Sequence, residues 1–79
     1  MNLTVKLFGE LQELCENSSL QLQLPALSSV GDLLLLACAK TPLLKGRVFR
    51  VAVNCDYVSN EFELSEECEI AFIPAVCGG

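Results

Sequence analysis

Ser29-Val30-Gly31-Asp32-Leu33-Leu34-Leu35-Leu36-Ala37-Cys38-Ala39-Lys40 is the stretch on which the fold turns. Ser29, with Asp32 three residues later, fits a capping box, in which serine and acid satisfy donors that a helix start leaves unpaired. Behind it Val30, Leu33, Leu34, Ala37 and Cys38 recur at the spacing of one helical stripe. Leu35 and Leu36 widen that stripe, which predicts a well-buried main helix. Pro42 disfavours a helical residue before it, so the helix ends near Lys40-Thr41. A helix lying on a membrane does not fit, because the segment is short and has no basic polar face.

The segments on either side read mainly as strands. Leu3, Val5 and Leu7 alternate with Thr4 and Lys6, the period of a strand over residues 2–8, and Gly9 breaks it. Leu11, Leu14 and Cys15 then fall on one side of a short helix over residues 10–16, with acids outside. Asn17-Ser18-Ser19 is a turn. Leu20-Gln21-Leu22-Gln23-Leu24 alternates cleanly and is stopped by Pro25. After the main helix, residues 43–46 form a link and 48–53 a third strand. Asn54-Cys55-Asp56 marks a turn, and 57–59 is a short strand-like piece. Phe62 and Leu64 alternate inward between Glu61 and Glu63, residues 65–68 turn, and 69–73 form the last strand. One long helix with strands to cover its apolar stripe predicts a two-layer α+β domain, a mixed sheet grasping one main helix.

The chain has 79 residues, room for one domain over 1–79. A chain of this size buries only about 60% of the surface its unfolded form exposes. Its hydrophobic share, 52%, suffices for one core without staples. Net charge is −5, and Lys6, Lys40, Lys45, Arg47 and Arg50 are the only cations. Nucleic-acid binding needs a basic face and is excluded on that ground. An acidic chain docks more naturally on a basic partner. Five cysteines, an odd number, stand without a CxxC pair, and there is no histidine. That pattern offers neither a disulfide framework nor a zinc site, and predicts reduced thiols that mostly fill the core. No leader or apolar span of 18 residues is visible, so a soluble, cytoplasmic protein with no membrane partner is expected.

Residues 74–79, Pro74-Ala75-Val76-Cys77-Gly78-Gly79, follow the last strand as a tail. Glycine has no Cβ, so Gly78-Gly79 can thread a channel too narrow for other residues, and a terminal carboxylate there is a chemical handle. Six extended residues reach about 20 Å. The tail is expected to be flexible in the free chain and to order on binding.

Three stretches resemble the ubiquitin-like β-grasp sulfur carriers of the MoaD/ThiS type, most nearly the small subunit of molybdopterin synthase. Leu7-Phe8-Gly9-Glu10-Leu11-Gln12-Glu13-Leu14 is similar to that subunit's first strand and helix. Val51-Ala52-Val53-Asn54-Cys55-Asp56-Tyr57-Val58 is similar to its "AVN" strand and turn. Residues 69–79 are similar to its acidic turn, last strand and "PPVSGG"-type tail. The match runs nearly end to end. It departs at Ala75, where a second proline is usual, at Cys77, where serine or threonine is usual, and at Gln12, where a basic residue is common.

The resemblance implies a carrier with no permanently bound cofactor and no metal. An activating enzyme would use ATP to adenylate Gly79, and sulfur from a donor would replace AMP to give a thiocarboxylate. Pro74, Ala75, Val76, Cys77 and Gly78 would lie in the active site of the large synthase subunit. Sulfur would pass there to cyclic pyranopterin monophosphate, making the dithiolene of molybdopterin. Two small subunits would sit on a large-subunit dimer, each docked through an apolar sheet patch around Phe8, Tyr57 and Ile73. Such a chain is part of a sulfurtransferase without being a catalyst alone, since tethering supplies proximity and the partner supplies the catalytic groups. A thiol at Cys77, two residues from the sulfur, could close an internal acyl disulfide. Two other roles share the activation chemistry. A sulfur carrier for thiamine thiazole synthesis is usually shorter and lacks a proline-led tail, so Pro74 and the length favour the molybdopterin branch. A ubiquitin-like modifier would instead form isopeptide bonds to lysines.

Overall fold

The capping box at Ser29 forms as the spacing predicts. The structure, a computed structural model, describes residues 1–75. The Asp32 backbone N–H donates to Ser29 Oγ at 3.2 Å, and the Ser29 N–H donates to Asp32 Oδ2 at 2.9 Å. The main helix, α2, runs Val30–Lys40 and closes with the Thr41 N–H on the Ala37 carbonyl. Val30, Leu33 and Ala37 are fully buried, while Leu34, Leu36 and Cys38 pack at the edge of the core. Burial of a leucine such as Leu33 contributes about 1.5–3 kcal/mol. Leu35 is 75% exposed, so the expectation of a helix buried beyond one face is corrected. A helix lying on a single sheet face has one side to bury, and Leu35 points to the other.

Five strands form one mixed sheet in the order β2-β1-β5-β3-β4. They are β1 Asn2–Leu7, β2 Ser19–Gln23, β3 Phe49–Val53, β4 Asp56–Tyr57 and β5 Ile70–Pro74, with the short helix α1, Glu10–Cys15, between β1 and β2. β1 and β5 are parallel, and every other pairing is antiparallel. A parallel pair needs a long crossover connection, and here that connection carries α2. The core lies between sheet and helix. Leu3, Val5 and Leu7 of β1, Val51 and Val53 of β3, and Ile70 and Phe72 of β5 face it. Phe49 tilts against Phe72, their ring centroids 4.8 Å apart.

Several boundaries move from their sequence-based positions. The link over 43–46 begins inside a 3-10 turn, Pro42–Leu44, which drives Leu44 into the core. β3 starts at Phe49, leaving Val48 exposed. The expected strand over 57–59 is the pair Asp56–Tyr57. It forms a hairpin with β3 across Asn54-Cys55, both at positive φ (51° and 72°), the backbone of a two-residue type I′ turn. Leu64 turns inward as expected, whereas Phe62 remains 40% exposed. That segment forms only the isolated bridge Ser29–Glu63, too little pairing to impose strand alternation. The thiol expectation is corrected only at Cys55 and in the degree of burial. Cys15, Cys38 and Cys68 are only partly buried against the core, Cys55 is exposed, and all four are free.

Candidate docking face and tail root

The alternation that sends Phe72 inward sends Ala71 and Ile73 to the opposite face of β5. The strand register fixes what lies beside them. Lys6 of β1 pairs with Ala71, Ala71 with Ala52 of β3, and Ala52 with Tyr57 of β4. One row across the outer face therefore reads Lys6, Ala71, Ala52, Tyr57. The neighbouring row contains Arg50 opposite Ile73. Phe8 continues beyond β1 on the same side, its N–H donating to the Phe72 carbonyl at 3.3 Å. Two alanines at the centre of a sheet, framed by larger side chains, leave a hollow of about 390 Å³. Phe8, Tyr57 and Ile73 all line it, as do Lys6, Cys55 and Glu69. Phe8 is 45% and Tyr57 51% exposed, and Ile73 is half-buried.

The expected patch of Phe8, Tyr57 and Ile73 is thus one continuous surface in the structure. Three contributors were not read from the sequence. Ala52 and Ala71 make the depth, and the signal for them was a small residue at the outward position of two strands. Their apposition depends on a register that periodicity alone does not supply. Arg50 is the third. Its guanidinium carbon lies 3.7 Å from the Tyr57 ring centroid, a cation–π stack that holds the ring in place.

The root of the tail is built into the sheet. Pro74 ends β5 opposite Phe49, and the Ala75 N–H reaches the Val48 carbonyl at 3.4 Å. The last strand therefore includes Pro74, where the tail over 74–79 was expected to begin. A proline at a strand end is tolerated because it sacrifices no interior ladder bond. Gly9 packs against this point at φ 56° and ψ −133°, and a Cβ there would stand 3.1 Å from Pro74 Cγ. Both the backbone angle and the close approach require glycine. Gln12, at a position where a basic residue is common, donates its side-chain N–H to the Leu7 carbonyl at 2.8 Å. It ties α1 to the end of β1 near the tail root. The tail residues Val76, Cys77, Gly78 and Gly79 lie outside the described residues, and so does the expectation of their flexibility.

Electrostatics at the face are mild. Lys6 and Glu69 are the charged residues among those that line the hollow, and its floor is apolar. Partial burial pushes the Cys15 thiol above its ordinary value of 9.0, which keeps it protonated and unreactive at neutral pH. Among the described residues no three acidic, cysteine or histidine side chains converge as metal ligands, and no helix is long and apolar enough to cross a membrane.

The architecture is that of a ubiquitin-like β-grasp domain, with a mixed sheet wrapped on one main helix. The chain belongs to the ThiS family, whose family model matches residues 5–79, and it is a sulfur-carrier-type domain of the MoaD/ThiS kind. Solved structures share the fold. Small archaeal modifier protein 1 from Haloferax volcanii superposes with a TM-score of 0.90 at 24% identity, over 100% of both chains. A putative molybdopterin converting factor subunit 1 from Pyrococcus furiosus gives 0.88 at 24% identity, over 96% of this chain and 99% of that one. A chain of the complex of subunits 1 and 2 of molybdopterin-converting factor from Helicobacter pylori gives 0.73 at 21% identity, over 100% of both. No curated protein matches the sequence.

Proposed function

We propose that this chain is the sulfur-carrying small subunit of a molybdopterin synthase. The observation that carries the reading is the convergence of Phe8, Tyr57 and Ile73 on one open face beside the strand that leads into the Gly-Gly tail. A domain that presents its end to another protein needs a docking face near the root of that end, and the shared lining of Phe8, Tyr57 and Ile73 beside β5 supports that reading.

In this reading Gly79 bears the chemistry. Its carboxylate is a poor sulfur donor until adenylation by a separate ATP-using enzyme supplies a leaving group. Displacement of AMP by sulfur then leaves a thiocarboxylate, a soft ionised nucleophile on a tether. Pro74 and Ala75 set the direction of the tail, Val76, Cys77 and Gly78 line the partner's channel, and a large subunit accepts the sulfur into cyclic pyranopterin monophosphate. The two-plus-two assembly and a cytoplasmic setting belong to the same proposal. Support for the partner comes from the Helicobacter pylori structure, a complex of subunits 1 and 2 that contains a chain of this fold.

Intact mass of the chain from its native cells tests the proposal. Replacing one oxygen by sulfur adds roughly 16 Da at the C-terminal residue, by the atomic masses of the two elements exchanged in activating the nucleophile. Only unmodified carboxylate, with activating enzyme and sulfur source present, overturns it. A second reading has an observation of its own, the likeness to small archaeal modifier protein 1. A modifier gives higher-mass conjugates that survive reducing agent, whereas a carrier gives none. The family's thiamine branch is separated by mixing the thiocarboxylated chain with each candidate acceptor and following loss of its sulfur.

A further inference from the structure

We propose that the free edge of β2 is a dimer interface, on which a second copy of this chain pairs antiparallel, centred on Gln21. The inference goes beyond the sulfur-carrier reading and does not depend on it. β2 is the outermost strand of the sheet, with β1 on one side and no strand on the other. Its ladder is fixed at both ends. The Leu7 N–H donates to the Ser18 carbonyl at 2.9 Å, and the Leu24 N–H donates to the Met1 carbonyl at 3.0 Å. Backbone groups of successive residues in an antiparallel strand point to opposite sides. Ser18, Leu20, Leu22 and Leu24 therefore direct theirs to β1, and Ser19, Gln21 and Gln23 direct theirs outward.

An open row of N–H and carbonyl groups is a template for another strand, and sheet edges are normally blunted by charge, proline, a bulge or shortness. The opposite edge of this sheet follows that rule, since β4 is the two-residue strand Asp56–Tyr57 and carries an acid. β2 has none of these devices. Its register runs unbroken from Ser19 to Gln23. No acid, basic residue or proline falls between Asn17 and Leu24, although the chain has a net charge of −5. The strand's own sequence selects the occupant. Ser19-Leu20-Gln21-Leu22-Gln23 reads nearly alike in both directions. A twofold axis through Gln21, perpendicular to the sheet, sets Gln21 against Gln21, Ser19 against Gln23 and Leu20 against Leu22 of the other copy. The pairs made by Ser19, Gln21 and Gln23 are those with outward backbone groups, so each exchanges two N–H···O bonds. The axis keeps the helices of both copies on one side of a continuous sheet. Leu20, partly buried at the margin of one core, then meets the Leu22 side of the other. Such self-complementary twofold contacts are the commonest closed assembly. A chain of charge −5 repels its own copy, and an uncharged edge is the approach that adds least to that repulsion. β1 separates β2 from β5, so pairing here leaves the end of β5 uncovered.

Sedimentation of the full-length chain over a range of concentrations tests the dimer. Twice the chain mass is expected above about 100 µM, with dissociation on dilution. Gln21→Lys and Gln21→Glu each place like charges across the axis and are expected to weaken the dimer at least about tenfold. An equal mixture of the two variants is expected to associate within about threefold of the parent, because opposite charges then face each other. Gln21 is exposed in the single chain, and thermal melting verifies that both variants fold. On the parent, hydrogen exchange at the Ser19, Gln21 and Gln23 amides is expected to slow as concentration rises, while the Leu20 and Leu22 amides, already bonded to β1, change little. A parent that keeps the single-chain mass at the same concentration overturns the proposal, as do variants that self-associate like the parent or edge amides indifferent to concentration. A mixture that stays monomeric while the parent dimerises also overturns it, since the contact then lies away from Gln21. None of these measurements involves the transfer of sulfur, so the dimer and the sulfur-carrier reading stand or fall separately.

Discussion

Phe72 and Ile73 are neighbours in one strand and belong to different problems. Phe72 faces the core, has no exposed surface and tilts against Phe49. Ile73 faces out, stands opposite Arg50 and walls the open hollow. The same division runs across the whole sheet. Its inner face is filled by leucine, valine, isoleucine and phenylalanine packed against one helix. The outer face of β5 and β3 places two alanines where a self-sufficient sheet could carry larger side chains. Those alanines leave an open hollow on the outer face. The inner face answers to stability, and in the proposed function the outer face is the one that meets a partner.

The sharpest way to break this division is to truncate both neighbours. Phe72→Ala should cost about 3–5 kcal/mol of unfolding free energy, because it opens a cavity in the core. Ile73→Ala should cost about 1 kcal/mol or less, as partly exposed positions do, yet weaken docking. Chemical denaturation of the two variants checks the ratio, and equal losses would show that the outer face is core after all. A smaller effect lies at the tail root, where the two faces share a boundary. Gly9→Ala should lose about 1–3 kcal/mol, since alanine resists the positive φ and its Cβ crowds Pro74. A melting curve matching the parent would mean that the root adjusts freely. Smallest is a chemical contrast between thiols. Cys55 should alkylate well ahead of Cys15 near neutral pH, because Cys55 is exposed whereas Cys15 is partly buried with its thiol pKa raised. The sign of the linkage follows from that raised value. Folding disfavours the Cys15 thiolate, so its contribution to stability is complete below the ordinary 9.0 and declines as pH rises through the folded value. Peptide-resolved alkylation rates from pH 7 to 10 check both statements, and equal rates at pH 7 would remove the contrast.

Much of the fold was legible because its signals are local. The capping box at Ser29, the stop before Pro42, and the alternation in β1 and β2 each depend on residues within one turn or one strand. Where tertiary contact intervened, local reading drifted. Leu35 reads as buried by composition alone, but a single supporting sheet leaves it outside. Phe62 reads as inward by alternation, but a lone bridge does not make its segment a strand. Pro74 reads as the start of the tail, but its neighbours Phe49 and Gly9 keep it in the sheet. The candidate site divides the same way. Phe8, Tyr57 and Ile73 were found as residue types carried by a resemblance, whereas Arg50, Ala52 and Ala71 were not.

By itself the sequence determined that one helix would be grasped by alternating strands and that the chain would run into Pro74-Ala75-Val76-Cys77-Gly78-Gly79. Those are properties of periodicity and of residue conformational limits, which act over short distances along the chain. Only the tertiary structure decided that Ala52 would meet Ala71 and that Arg50 would brace Tyr57. Both depend on β5 entering between β1 and β3. That insertion is set by the crossover through α2 and the burial of Phe72 in the shared core, and no stretch of sequence read alone contains it.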